Sequence, residues 1–350
     1  MLAYGLTIVD LLAEYTGLLR RMRHDCSSGI TILMYHKILP KQNIPEYPLQ
    51  NLVVDTIAFN RQSAWLAKHF EVLPVREALA NLDWGIEKRP RSSRPLACIT
   101  FDDGYRDNFD HAAPILDAHG LRATFFVTTG FVEGAPLWFD SAALAWMRDC
   151  SAVVQIARIS APEFCGDLTK TSSLDTWLST LKRMPTRSRL AVMDEIGIVA
   201  NAPTHIFGAM TPDQIRRLAD HGHEIGAHSV THPILTDLDD ASLRKELEQS
   251  RSMVHDWTRQ QVDGLCYPNG NHEERTIIAA RKAGFDYGIG VRRGIVNHGS
   301  NRMALPRRAI LSSNRRQSNS ARFASEVVGW HDLLRDFMKS RLKGGRKNTA

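Results

Sequence analysis

The 350-residue sequence predicts an α/β protein in which about seven parallel strands close into a barrel, with one helical insertion. Three observations lead there. Compact apolar runs at 30–36, 70–75, 96–101, 123–129, 223–228, 262–268 and 285–291 have the length and hydrophobicity of buried strands. Stretches of helical periodicity separate them, and such alternation implies parallel strands with helical crossovers. Seven units suit a closed barrel better than a short open sheet, and in such barrels chemistry sits at the C-terminal ends of strands. A composition of 43% hydrophobic and 23% charged residues is sufficient to bury that core.

Residues 1–29 read as an N-terminal amphipathic helix. Ile8, Leu11, Leu12, Tyr15, Leu18, Leu19 and Met22 fall at i, i+3, i+4, i+7 spacing, with Arg20, Arg21 and Arg23 at its end. Asp10 and Glu14 interrupt its apolar run before it reaches the length of a signal-peptide core or a membrane span, and no basic region precedes it. Five widely spaced cysteines without a C-x-x-C pair read as free thiols, and together these features lead to an expected cytoplasmic location. Packing on the domain explains this helix better than a membrane-surface role, and peripheral membrane contact through it or the basic tail is the alternative.

The run 30–36 ends in polar residues, and His36 either lines a site there or is a satisfied strand-end histidine. A loop with Pro40, Pro45 and Pro48 follows, and Asp55 is placed to cap a helix carrying Phe59, Trp65 and Leu66. Helices at 75–82 and from about Tyr105 to His119 flank an exposed loop at 87–95 and the run LACITF. From 134 to 210 the pattern changes to helix-like stretches such as FDSAALAWMRDC and SLDTWLSTLKRM, which mark an insertion. Trp138, Phe139 and Asp140 begin it, more readily as a hydrophobic anchor than as a sugar-stacking platform. The alternation resumes with TPDQIRRLADHG, with a helix from about Asp239 carrying Leu243, Leu247, Val254 and Trp257 on one face, and with EERTIIAARKAG, closed by Gly284. The barrel is thus bounded at 30–311, and 312–350 form a basic C-terminal helix or tail. Residues 292–350 hold 14 Lys/Arg and 3 Asp/Glu, a net +11 in a chain of +6, which leaves −5 on the rest. A solvated tail accounts for this better than an anionic lipid partner, and no nucleic-acid partner is expected, because neither aromatic interleaving nor zinc-finger spacing is present.

ITFDDG puts Asp102 and Asp103 at the end of an apolar run, just before Gly104. Side chains on a strand alternate sides, so both carboxylates converge only if the chain turns there, which Gly104 permits. Alone, the pair reads as well as a turn with one Asp capping the next helix. EIGAHSVTHP puts His228 and His232 four apart at the end of another such run, where a tight loop brings both imidazoles to one metal ion. An isolated pair among 14 His is more often surface or core, but a barrel carries both clusters to one face. One carboxylate and two imidazoles with positions left for water describe a catalytic centre of zinc type, and the second carboxylate is left to act as base.

With these motifs the chain resembles the polysaccharide deacetylases, carbohydrate esterases that include nodulation-type chitooligosaccharide deacetylases and peptidoglycan N-acetylglucosamine deacetylases. The resemblance rests on TFDDG, on MTPDQIRRLADHGHEIGAHSVTHPIL, on LMYH near the start, and on CYPNG followed by a helix and AGFDYGIGV. It covers about 30–310, with 134–210 outside the best-matching core. It implies a distorted (β/α) barrel, a divalent metal, most simply Zn²⁺, and removal of N-acetyl groups from an N-acetylated amino-sugar polysaccharide or oligosaccharide. By resemblance Asp102 is the general base, Asp103, His228 and His232 hold the metal, and Tyr267, Pro268 and Asn269 form a groove wall whose Asn269 N–H stabilises the oxyanion.

Two departures stand out. The family pattern has an arginine at the start of that wall to orient the base, and this chain has Cys266; Arg307 in LPRRAI either substitutes for it or is a surface or phosphate-binding arginine. A late general-acid histidine has no clean match, and His298 and His331 are candidates by position only. Exopolysaccharide precursors, chitin-like oligosaccharides and peptidoglycan strands all fit as substrates. The alternatives are hydrolysis of a small non-sugar amide on the same scaffold, or a non-catalytic carbohydrate-binding protein.

Overall fold

Ten strands organise the chain: β1 (Ile30–Tyr35), β2 (Lys37–Leu39), β3 (Val53–Asp55), β4 (Glu71–Val72), β5 (Leu96–Phe101), β6 (Thr124–Val127), β7 (Glu224–Ala227), β8 (Gly264–Cys266), β9 (Tyr287–Ile289) and β10 (Arg308–Ala309). The computed structural model describes residues 10, 13–25, 29–83, 94–166, 168–197, 203–310, 320–330 and 332. Strands β10, β1, β5, β6, β7, β8 and β9 lie side by side in that order, every pair parallel, and β4 adds to β5. The two edges meet through the segment before β10. Leu305 bridges Ile289, Gly290 N donates to Leu305 O at 3.0 Å, and Arg307 N donates to Arg292 O at 2.8 Å. The sheet therefore closes over a short bridge instead of a full ladder, which is the distorted seven-strand barrel expected from the sequence, except that β10 and not the run at 70–75 supplies the seventh strand.

A period of two sorts the strand residues between two cores. Ile30, Ile32, Leu96, Cys98, Phe126, Cys266, Tyr287 and Ile289 fill the barrel interior. Their neighbours Leu33, Tyr35, Ile99, Phe101, Phe125 and Val127 pack outward, under the helices Thr56–His69, Pro212–Asp220 and Asp240–Thr258. The interior is tight enough that a Cβ on Gly226 would lie 2.5 Å from the Phe126 ring. Buried Glu224 lies at the N-terminal end of the barrel and accepts bonds from Thr124 Oγ1 at 2.9 Å, Tyr287 OH at 2.8 Å and Arg76 N at 3.0 Å. It belongs to the core, away from the strand ends where the conspicuous residues collect.

Asp55 caps its helix, accepting from Ala58 N at 2.9 Å. The helix expected from Tyr105 instead opens with a π turn, Asn108–Ala112, before Ala113–Ala118. Pro114 has no N–H to bond four residues back, and the wider turn accommodates it. Strands β2 and β3 pair in a separate parallel ribbon on either side of the stretch with Pro40, Pro45 and Pro48, where no strand was expected.

The insertion contains the helices Trp138–Ser160, Leu174–Arg183, Thr186–Ile196 and Thr204–Phe207. Trp146, Val153, Val154, Trp177, Leu181 and Val192 give it a core of its own. Phe139, Ala143, Ile206 and Phe207 join it to Tyr47, Tyr105 and Phe131 of the barrel. At the chain ends, Ala13 and Leu19 pack on Ala324 and Val328 of the helix Ser320–Val328. Residues 1–9, 11, 12 and 26–28 of the expected N-terminal helix, residues 87–93 of the expected loop, and most of the 312–350 tail lie outside the described residues, and the described part of that helix is broken at Gly17 (φ 73°) before Leu18–Asp25. The four described cysteines are free, and no described helix is long and apolar enough to cross a membrane.

Candidate active site

Strand β5 delivers the carboxylates. Leu96 and Cys98 point into the barrel, and Asp102 continues their alternation. The chain then turns at Asp103 (φ 77°) and Gly104 (φ 90°), which brings the second carboxylate round to the first. The turn anticipated at Gly104 is thus shared with an aspartate in the left-handed region, a conformation that costs a non-glycine residue roughly 1–3 kcal/mol.

Asp102 is buried, and Arg307 holds it with a two-pronged bond: Nη1 donates to Oδ1 at 2.7 Å and Nη2 to Oδ2 at 2.8 Å. The guanidinium also donates to Gly290 O at 2.9 Å, Thr100 Oγ1 at 3.1 Å and Cys266 Sγ at 3.2 Å. Arg307 is fully buried, so a surface arginine is excluded. Cys266, standing where the family pattern has its arginine, is the small residue that this guanidinium packs over. Burial raises the Asp102 carboxyl, but the charge and hydrogen bonds of Arg307 outweigh it and hold the group well below the usual carboxylate range.

Strand β7 brings in the imidazoles. His228 Nδ1 bonds to Cys266 O at 2.7 Å, which makes that nitrogen the donor and turns Nε2 toward Asp103 Oδ1 at 3.4 Å. His232 Nε2 lies 3.4 Å from the same oxygen. The loop between them runs through left-handed Ser229 (φ 64°) and His232 (φ 55°). It is held from two sides. Glu246 Oε2 accepts from Val230 N at 2.7 Å and Thr231 N at 3.0 Å, while Trp138 Nε1 donates to His232 O at 3.0 Å and the Phe139 ring meets the His232 imidazole edge-on at 5.0 Å. Of the five left-handed non-glycine residues described, Asp103, Ser229, His232 and Asn269 belong to this region, and Arg259 caps a helix.

One ligand atom each from Asp103, His228 and His232 lies within 4.8 Å of the others. Asp103 Oδ2 and His232 Nδ1 are buried without a hydrogen-bond partner. Burial, then the neighbouring His228, pushes His232 down to about 3, so its ring is neutral and has a lone pair to offer. One oxygen and two nitrogens beside a cleft fit a small divalent cation such as zinc. Asp102, His228 and Cys266 are equally close together, but Arg307 already engages both Asp102 oxygens and the sulfur.

The cleft over these residues has a volume of about 420 Å³ and is lined by Met34, His36, Trp138, Phe139, Tyr267 and Asn269, among others. His36 Nε2 is 3.9 Å from Asp102 Oδ2. Asn269 sits in a left-handed turn (φ 57°) at the cleft edge, whereas Pro268 is buried behind it and does not line the cleft. His298 is exposed and outside the lining, and His331 lies outside the described residues. Among the lining residues not anticipated are Leu49, Asn51 and Leu52 ahead of β3, and Asp175, Leu178, Ser179 and Lys182 on the insertion helix Leu174–Arg183. The i, i+3, i+4, i+7 spacing of the four helix residues is visible in SLDTWLSTLKRM, but spacing does not say what a polar helix face looks onto.

Residues 89–288 match the polysaccharide deacetylase family. YxkH of Bacillus subtilis, whose name assigns it to the polysaccharide deacetylases, is 23% identical over 279 residues, 79% of this chain and 70% of its own. Among solved structures, the Streptococcus pyogenes deacetylase PplD, determined in complex with acetate, matches 81% of this chain and 92% of its own with a TM-score of 0.54 at 19% identity. IcaB from Ammonifex degensii matches 85% of this chain and 97% of its own with a TM-score of 0.52 at 16% identity. At such identities these two likenesses are of fold. The family match is different in kind, since it spans more than half of the sequence, contains Asp102, Asp103, His228, His232 and the 266–269 wall, and shows that the chain belongs to the polysaccharide deacetylase family.

Proposed function

We propose that the protein is a metal-dependent deacetylase that removes the N-acetyl group from an N-acetylated amino-sugar saccharide. The observation that carries this reading is an ionised, Arg307-clamped Asp102 adjoining the Asp103–His228–His232 group in one cleft. Those three residues would hold the cation, which when bound supplies a Lewis acid at the amide carbonyl and makes water more acidic. Asp102 takes the proton of the attacking water; Arg307 keeps the carboxylate charged and fixes its plane, and orientation of the base compensates for its lowered basicity. Asn269 N–H is the donor assigned to the developing oxyanion. No histidine other than His36, His228 and His232 lines the cleft among the described residues, so Asp102 returns its proton to the leaving nitrogen, giving acetate and a free amine. Trp138, Phe139 and Tyr267 in the lining favour a sugar ring over a small non-sugar amide.

The test is acetate release from N-acetylglucosamine oligomers by protein stripped of metal and reconstituted with Zn²⁺. Release depends on zinc and falls about 10²–10⁴-fold in Asp102→Asn, and His228→Ala loses it together with zinc binding. Zinc bound tightly with no acetate released from any oligomer would overturn the reading and favour a binding protein or a non-sugar amide.

A further inference from the structure

We infer that the insertion helix Leu174–Arg183 builds a second subsite in the cleft, where Lys182 and Ser179 receive an anionic substituent, phosphate or carboxylate, carried by the acetamido saccharide. The inference rests on the deacetylase reading for the sugar itself. Trp177, Thr180 and Leu181 bury one face of this helix in the insertion. The opposite face, Asp175, Leu178, Ser179 and Lys182, walls the same cavity as His228 and His232. Asp175, Ser179 and Lys182 are exposed, and the solvent they meet includes the cleft that holds the reacting groups.

The charges inside the cleft leave Lys182 available. Asp102 is neutralised by Arg307, and Asp103 faces the two imidazoles. Lys182 has no hydrogen bond or ion pair with any described residue. Asp175, the acid on its own face, stands seven residues away, about 10 Å along the axis, beyond contact distance. Ser179 is one turn away, so an ammonium and a hydroxyl can grip one anion together. Partial desolvation against the cleft lowers the Lys182 ammonium below its ordinary range, with the charge of Asp103 opposing this. Lys182 is exposed, so what it offers an anion is a cation without an ion pair among the described residues and a hydroxyl one turn away, at the wall of the cleft. A cleft of about 420 Å³ takes a ligand of small-molecule size, so the anion must sit on the reacting sugar or the one next to it.

Two measurements on the full chain test this. Acetate release by the zinc-loaded protein is compared for N-acetylglucosamine, its 1-phosphate and an N-acetylated sugar bearing a carboxylate, in wild type and in Lys182→Ala, Lys182→Glu and Lys182→Arg. Binding of the same three sugars is then followed calorimetrically in Asp102→Asn, with and without Lys182→Ala, where turnover is not needed. An anionic sugar should be preferred over the neutral one by about tenfold or more. That preference should disappear in Lys182→Ala, invert in Lys182→Glu and persist in Lys182→Arg, and the anion that gains identifies the substituent. No preference in the wild type, or one that survives Lys182→Ala, overturns the subsite. Lys182-dependent binding with no deacetylation of any sugar keeps the subsite and rejects the deacetylase reading; deacetylation without Lys182-dependent preference does the reverse.

Discussion

Arg307 donates to Asp102, Thr100, Cys266 and Gly290, all inside the protein, and none of its exposure is left for solvent. Arg307→Ala therefore strands a buried carboxylate, and a loss of about 3–5 kcal/mol is expected in denaturant unfolding. Arg307→Lys keeps a charge but not the planar fork, so kcat should fall much more than stability does. At this scale the strand-end residues were legible: Asp102, Asp103, His228 and His232 announce themselves by type and by position after apolar runs. Arg307 was legible only through the family resemblance. The clamp joins residues 205 apart, and no local pattern encodes a partner at that distance. Pro268, assigned to the groove wall with its neighbours, supports the turn from behind instead of facing the cleft.

Among the elements, the insertion does more than cover a barrel end. Its first turn reaches the His232 loop through Trp138 Nε1, and the guanidinium of Arg189 lies 4.9 Å over the same indole. Trp138→Phe keeps an aromatic ring but loses the N–H donor, which should free His232 to leave its left-handed conformation. Faster hydrogen exchange at residues 229–233 and about tenfold weaker zinc binding, with the overall melting transition little changed, are the expected results. Unchanged exchange and affinity would mean that Glu246, the Phe139 ring and the bonds from Thr129 N and Gly130 N to the loop carbonyls suffice to hold it. Helices and the longer strands β1, β5, β6 and β7 were readable from periodicity and apolar runs, and β8 and β9 from the apolar runs that contain them. Three-residue strands such as β2 and β3 are too short to have a period, and the π turn before Ala113 is a response to one proline rather than a repeating signal.

For the molecule as a whole, two buried groups at separate places act on stability in opposite directions. Asp140 joins the insertion to the barrel, accepting from Tyr47 OH and Tyr105 OH at 2.8 Å each, and burial pushes its carboxyl up to about 6. The folded chain keeps this proton while the unfolded chain releases it near about pH 4, so stability falls as pH rises through that window, by up to about 3 kcal/mol. His223 accepts from Ala123 N at 3.1 Å, and burial, aided by Arg122, pushes it down to about 4. Here the unfolded chain binds the proton first, so stability falls as pH drops from the ordinary histidine range toward that value. Asp140→Asn should thus make denaturant midpoints rise with pH between about 4 and 6 relative to wild type, and His223→Gln should make them fall. Parallel profiles in the two variants would refute this assignment. The barrel class was readable from alternation, but the neighbour order and the Leu305 closure depend on contacts between distant segments. That closure also sets a timetable. Chains emerge from the ribosome N-terminus first, and the Asp102 carboxylate meets its guanidinium only when residue 307 has been synthesised. A nascent or truncated product that stops before β10 carries Asp102, Asp103, His228 and His232 and still lacks the guanidinium that clamps Asp102, so the arrangement of the cleft is complete only once residue 307 has been made.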